Sequence, residues 1–216
     1  MKLLKNCLVP VNKLMSDVLP NKIPKRNNKI SSKLASKLLI VLGWRIEGQL
    51  PNSHQFIIAV GPHTSNWDFV YALPAMHLMG IKNLRYLIKN SLFFFPLKYL
   101  FYWTGGIPVD RSKKNELTAN LQRMIKESEE IYLMFPPEGT RSRVERWKTG
   151  FYYTAMETGL PIILGYMDYK SRKLGFGEVF YPTGDIKKDM LKIEAYYADK
   201  GAKYPEKFNP SFFDHS

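Results

Sequence analysis

The chain has 216 residues, 45% of them hydrophobic, which suits one domain with a sizeable core and excludes a disordered polypeptide. Lys and Arg number 32 against 19 Asp and Glu, a formal charge of +13, so an acidic partner is expected: an anionic membrane surface, an acidic substrate or carrier, or nucleic acid. The single Cys7 excludes an internal disulfide and a cysteine metal cluster, and His54, His63, His77 and His215 lack a metal-binding spacing, so no metal is expected.

Residues 1–30 carry Lys2, Lys5, Lys13, Lys22, Lys25, Arg26 and Lys29 against Asp17 alone, and Pro10, Pro20 and Pro24 oppose one long helix. The stretch reads as a basic tail, either solvated or an electrostatic tether to anionic lipid. Asn6, Pro10, Asn12 and Lys13 interrupt any apolar segment, so no secretory signal is expected. A single domain is expected over residues 31–216. Ser31-Ser32 offers a cap for an amphipathic helix bearing Leu34, Leu38, Leu39, Val41, Leu42 and Trp44, suited to a core or to the lipid interface. Gly43 and Gly48 then break the chain.

An apolar run over 55–60, closed by Gly61-Pro62, reads as a strand. Trp67, Val70, Tyr71, Leu73, Pro74 and Leu78 follow at close to helical spacing. Between them stands His63-Thr64-Ser65-Asn66-Trp67-Asp68. On one continuous helix, residues five apart diverge by about 140°. His63 and Asp68 therefore meet only if His63 precedes the helix and Asp68 sits in its first turns, with Thr64, Ser65 or Asn66 as caps. Asp68 would then orient one ring nitrogen and leave the other free as a base. A His and an Asp that only cap a helix start give the same pattern, so the pair alone is a weak signal.

A strand is expected over 84–88, followed by an aromatic block over 91–103 that Pro96 and Lys98 interrupt and that is too short to span a bilayer. No transmembrane segment is expected. Tyr and Trp flanking Phe and Leu fit either a surface dipping into lipid or a buried helix. A short strand beginning at Gly105 delivers Arg111 to its end. Leu117, Leu121, Met124 and Ile125 mark the inner side of a helix over 113–130. A strand over 131–135 stops at Pro136-Pro137, and Glu138-Gly139-Thr140-Arg141-Ser142 follows it. Then come a helix over 150–159, a strand over 160–169, a hairpin return over 174–180, and a last helix capped by Thr183-Gly184-Asp185. This alternation predicts an α/β layered domain with a central mixed β-sheet flanked by helices, preceded by the basic segment and the amphipathic helix. Sites gather at strand ends in such sheets, so His63, Arg111 and Glu138 to Arg141 are expected around one cleft. Two arginines beside a base suit a phosphate or carboxylate acceptor.

Four ordered segments resemble the blocks of the glycerolipid (lysophosphatidic acid-type) acyltransferases, over roughly residues 55–165. They are His63-Thr64-Ser65-Asn66-Trp67-Asp68, Gly105-Gly106-Ile107-Pro108-Val109-Asp110-Arg111, Pro137-Glu138-Gly139-Thr140-Arg141-Ser142 with Lys148-Thr149-Gly150, and Pro161-Ile162-Ile163. The resemblance implies transfer of a fatty acyl group from an acyl thioester, acyl-CoA or acyl carrier protein, to a lysophospholipid hydroxyl such as that of 1-acylglycerol 3-phosphate. His63 would be the general base and Asp68 its partner. Arg111, Glu138, Gly139, Thr140, Arg141 and Lys148 would hold substrate, with no cofactor beyond the acyl donor. The basic tail, the helix from Leu34 to Trp44 and the aromatic block from Phe93 to Trp103 together lead to the expectation of a peripheral enzyme at the cytoplasmic face of an anionic membrane.

Three positions depart from the family pattern. Pro62 stands where Asn is frequent, Pro136 where Phe is common, and Leu164-Gly165 near a usual second proline. These leave the acceptor open, a lyso-aminolipid included. Nucleic-acid binding is disfavoured, because no helix-turn-helix, RNP, KH or zinc-finger pattern is present and the aromatics cluster in an apolar block. A catalytically silent scaffold is disfavoured by the intact His63, Asp68, Glu138 and Arg141.

Overall fold

The computed structural model describes residues 29–110 and 114–211. In chain order these form α1 (Lys29–Val41), β1 (Arg45–Glu47), β2 (Gln55–Gly61), α2 (Trp67–Met79), β3 (Leu84–Lys89), α3 (Leu97–Thr104), β4 (Gly106–Val109), α4 (Lys114–Glu127), β5 (Ile131–Phe135), α5 (Gly150–Thr158), β6 (Ile162–Asp168), β7 (Lys173–Phe180) and α6 (Ile186–Tyr197). The strands make one sheet in the order β1-β7-β6-β2-β5-β3-β4. Strands β2 to β6 run parallel, and β7 returns antiparallel on β6 with β1 parallel to it. The mixed α/β sheet expected from the hairpin is present.

The placement of β2 at the centre follows from its residues. Phe56, Ile57, Ile58 and Ala59 are all fully buried, which requires cover on both faces. Phe56 and Ile58 pack with Ala35 and Leu39 of α1 and Ala75 and Leu78 of α2. Ile57 and Ala59 turn the other way, toward Leu121 and Ile125 of α4, Phe151 of α5 and Ile193 of α6. Two helical layers therefore enclose the sheet.

Three expectations need correction. Helix α1 begins at Lys29, so Ser31 and Ser32 lie inside it and do not cap it, and Trp44 lies beyond its end. The indole instead packs against Tyr71 and Tyr169, with ring centroids 5.0 Å from each. The edge strand β1 was not anticipated, because three residues are too few to show a period. It pairs with β7 from Arg45↔Lys173 to Glu47↔Gly175, and Lys173 Nζ meets Glu47 at 2.9 Å. At Gly48, where φ is +83°, a Cβ would fall 1.8 Å from the Phe176 carbonyl oxygen, so no side chain fits.

The aromatic block resolves into α3 and the turn before it. Phe101 is buried against Phe69 and Phe93, while Phe95, Tyr99 and Trp103 are exposed. A wholly buried helix is thus excluded. Among the described residues, no helix is long and apolar enough to cross a membrane. The basic tail expected over residues 1–30 lies outside the described residues except for Lys29 and Ile30, which open α1.

Candidate active site

Strands β2 and β5 are neighbours in register from Gln55↔Ile131 to Ala59↔Phe135, so the loops that leave their C-terminal ends emerge side by side. His63 sits in the loop after β2 and Glu138 in the loop after β5. The backbone N–H of His63 donates to Glu138 Oε1 at 2.8 Å, which ties the two loops together.

His63 stands before α2 and Asp68 in its first turn, as the spacing required, and His63 Nδ1 lies 3.0 Å from Asp68 Oδ2. The same oxygen accepts the N–H groups of Thr64 and Ser65, each at 3.0 Å. Asp68 therefore both caps the turn and orients the histidine. Of the expected caps, Ser65 Oγ accepts from the Trp67 N–H at 3.1 Å, while Asn66, at the N-cap position, makes no side-chain cap bond. Asp68 Oδ1 accepts a 2.6 Å bond from the Tyr169 hydroxyl. Burial by itself would raise the Asp68 carboxyl. The His63 and Tyr169 hydrogen bonds, the His63 charge and the Ser65 N–H outweigh it and hold the group below the usual carboxylate range.

Glu138 stands behind this turn. It is 3% exposed, and its Oε2 is buried without a hydrogen-bond partner. Burial pushes its carboxyl above the usual range, against the opposing pull of the backbone N–H groups of His63 and of Glu138 itself. The acid that the sequence offered as a substrate ligand is thus directed inward, onto the backbone of the base.

The rest of the third segment forms an Ω-like return. Gly139 N donates to Pro136 O at 3.0 Å and Lys148 N to Pro137 O at 2.7 Å. Gly139 has φ +66°, and a Cβ there would come within 2.9 Å of Lys148 Cγ, so the loop needs glycine twice over. Thr140 Oγ1 accepts from the Ser142 N–H at 3.3 Å, and Arg141 is half-buried in the same loop. Lys148 is exposed at the rim of a cavity of about 690 Å³, lined on its apolar side by Leu87, Val109, Leu117, Phe135 and Phe151. Arg111 lies outside the described residues, so its place at the cleft is not part of this geometry.

The sequence profile of the family described as Acyltransferase matches residues 44–164, more than half of the chain. The chain belongs to the acyltransferase family. It is 31% identical to a 1-acyl-sn-glycerol-3-phosphate acyltransferase of Haemophilus influenzae over 147 residues, covering 63% of this chain and 59% of that one. It is 26% identical to the protein of the same name from Escherichia coli over 156 residues, covering 66% and 60%. A mouse 1-acyl-sn-glycerol-3-phosphate acyltransferase epsilon is 35% identical over 100 residues, covering 44% and 27%. The chain thus spans about 60% or less of the length of these curated relatives. No solved structure matches it.

The matched span, residues 44–164, holds His63, Asp68, Glu138 and Lys148. Three groups around the dyad fall beyond residue 164 and were missed in the sequence. Tyr169 bonds Asp68, and Tyr204 N donates to Thr64 Oγ1 at 3.2 Å. Lys203 Nζ lies over the rings of Trp67, Tyr169 and Tyr204, 5.3, 5.4 and 6.0 Å from their centroids. Tyr169 was within reach of the argument that singled out Arg111, since it follows the C-terminal end of β6 and β6 is the other neighbour of β2. Nothing local in Gly201-Ala202-Lys203-Tyr204 signals that it folds back onto the turn.

Proposed function

We propose that the chain transfers a fatty acyl group from acyl-CoA or acyl carrier protein to a hydroxyl of a lysophospholipid such as 1-acylglycerol 3-phosphate. The observation that carries this reading is the 3.0 Å contact of His63 Nδ1 with a buried Asp68 whose remaining bonds fix it in place. Asp68 holds the Nδ1–H tautomer, which leaves Nε2 to take a proton. In the reaction Nε2 accepts the acceptor's hydroxyl proton as that oxygen attacks the thioester carbonyl. Asp68 steadies the imidazolium, the tetrahedral intermediate collapses, and the thiolate leaves with the proton from Nε2. No acyl-enzyme and no cofactor are needed.

Arg111, Thr140, Arg141 and Lys148, with the backbone at Gly139, are the groups we assign to the acceptor's phosphate and glycerol, because guanidinium and ammonium groups match a phosphate. Glu138 serves them indirectly by fixing the His63 backbone. The apolar cavity beside Lys148 has the size and lining of a small-ligand pocket and suits an acyl chain. The relatives named as 1-acyl-sn-glycerol-3-phosphate acyltransferases favour a glycerophosphate acceptor over a lyso-aminolipid.

The protein works, in this reading, as a peripheral enzyme on an anionic, cytoplasmic leaflet. Helices α1 and α3 pack on the same helix, α2, and expose Ile30, Leu34 and Val41 on one and Tyr99 and Trp103 on the other. A +13 chain adds electrostatic attraction to anionic lipid. The test is acyl transfer by the purified full chain, supplied with each donor and with lysophosphatidic acid or a lyso-aminolipid in anionic vesicles. Transfer to lysophosphatidic acid that vanishes in His63→Ala is expected. Absence of transfer from either donor overturns the reading, and transfer to the lyso-aminolipid alone replaces its acceptor.

A further inference from the structure

We propose that Tyr169 is a positioning residue for the base, its hydroxyl fixing the second oxygen of Asp68 and closing a His63–Asp68–Tyr169 chain of hydrogen bonds. The inference rests on the acyl-transfer reading for its consequence but not for its geometry. Three donors, His63 Nδ1 and the N–H groups of Thr64 and Ser65, converge on Asp68 Oδ2. They satisfy one oxygen and leave the other, Oδ1, to be matched. Asp68 is 4% exposed, so Oδ1 needs a donor from the protein, and the Tyr169 hydroxyl supplies it at 2.6 Å.

The tyrosine is itself held. Its ring meets Trp44 edge-on at 5.0 Å and Tyr71 at 5.9 Å. Its backbone N–H donates to Gly201 O at 2.7 Å, and Gly201 N donates to Asp168 Oδ1 at 3.0 Å. Tyr204 N reaches Thr64 Oγ1, so one short strap ties Tyr169 to the turn that carries His63. The titratable and charged groups facing it are His63 and Tyr71 from the α2 side, Glu138 from the loop after β5, and Lys203 and Tyr204 from the strap. Burial, then the bond to Asp68 and its charge, raise the Tyr169 hydroxyl far above its ordinary value, so it stays a donor throughout the working pH range. Tyr169 and the strap lie outside the span that matches the family profile, residues 44–164.

The test reads Asp68 directly, by carbon-13 NMR titration of aspartate carboxyls in the full chain without substrate, assigned with Asp68→Asn. Tyr169→Phe keeps the ring contacts and deletes the donor. Its Asp68 titration should move up by about half a pH unit or more, because the ionised form loses a hydrogen bond. Tyr169→3-fluorotyrosine keeps the hydroxyl and the ring, exchanges one ring hydrogen for fluorine, and strengthens the donor, so the titration should move down. In the acyl-transfer assay Tyr169→Phe should lower kcat by about tenfold, leave the acceptor KM unchanged, and shift the acid limb of kcat/KM to higher pH. A tyrosine that only packs would change neither the titration nor the limb. An unmoved Asp68 titration in either folded variant overturns the proposal. So does an unchanged kcat and acid limb in Tyr169→Phe where the wild type is active. If the wild-type chain transfers no acyl group, the functional reading fails, and the titration still decides the role of Tyr169.

Discussion

The two loops that meet at the site are built on opposite plans. The turn at 62–66 is short, and its polar atoms are matched pairwise: Asp68 with the N–H groups of Thr64 and Ser65, Ser65 Oγ with Trp67 N, Thr64 Oγ1 with Tyr204 N. The loop at 136–149 is longer and closes mainly on its own backbone and on the chain's last described residues. Trp147 Nε1 donates to Asn209 O at 2.9 Å, and Asn209 Nδ2 donates to the carbonyls of Val144 and Glu145 at 3.1 Å. It keeps Arg143, Arg146 and Lys148 exposed. A base must be held to a fraction of an ångström, whereas groups that receive varied lipid substrates need reach. The contrast supports the proposed division, with chemistry in the first loop and binding in the second.

That division is broken most easily at its strongest point. His63→Ala should cost about two to four decades in kcat with the fold intact by circular dichroism, the range expected on losing a general base. Near-wild-type turnover in the folded variant would move the chemistry out of the turn. The next largest effect belongs to the bond that joins the loops. Glu138→Ala leaves the His63 N–H without its acceptor in a buried place, which costs about 1–3 kcal/mol of stability and loosens the base. Glu138→Gln retains an oxygen acceptor and should keep most of the activity. Equal losses in the two variants, confined to the acceptor KM, would show instead that Glu138 binds substrate. Lys148→Ala should be milder still. As an exposed cation it contributes about 1 kcal/mol at most, so the acceptor KM should rise by about fivefold or less with kcat unchanged.

How far the sequence reveals this arrangement differs between the same two loops. The turn was legible because rotation per residue fixes where residues five apart can meet, and only one placement of the helix start brings His63 to Asp68. The strands were legible where both faces are buried, as in Phe56 to Ala59, since continuous apolar runs leave few alternatives. The direction of Glu138 was not legible. An acid after a strand end reads the same whether it faces solvent or folds back onto a neighbouring backbone, and only the β2–β5 register decides. The strap from Gly201 to Tyr204 was hidden for a related reason: its bonds to Thr64 and Tyr169 use backbone atoms, which carry no residue signature.

The smallest expected effect separates the loops by the titration of their two buried carboxyls. Asp68 in the turn has its folded-state pKa depressed, so its stabilisation is present above its unfolded value, near 3.8, and is lost as pH falls through the lower folded value. Glu138 in the loop is shifted the other way. Its folded state holds the proton more tightly, so its favourable contribution is complete below the unfolded value, near 4.5, and is lost as pH rises through the higher folded value. The two slopes oppose each other and occupy adjoining pH windows. Glu138→Gln removes the second slope, because an amide does not titrate. Relative to the wild type, its Tm should therefore improve steadily as pH rises above the unfolded value near 4.5, whatever constant offset the substitution itself brings. Asp68→Asn should show the reverse, falling behind the wild type as pH rises toward the unfolded value near 3.8. Thermal melts at constant ionic strength measure both differences. A Glu138→Gln curve parallel to the wild type across that window would mean that Glu138 titrates as an ordinary carboxyl, and the loop's acid would then lack the buried, backbone-directed role that separates it from Asp68.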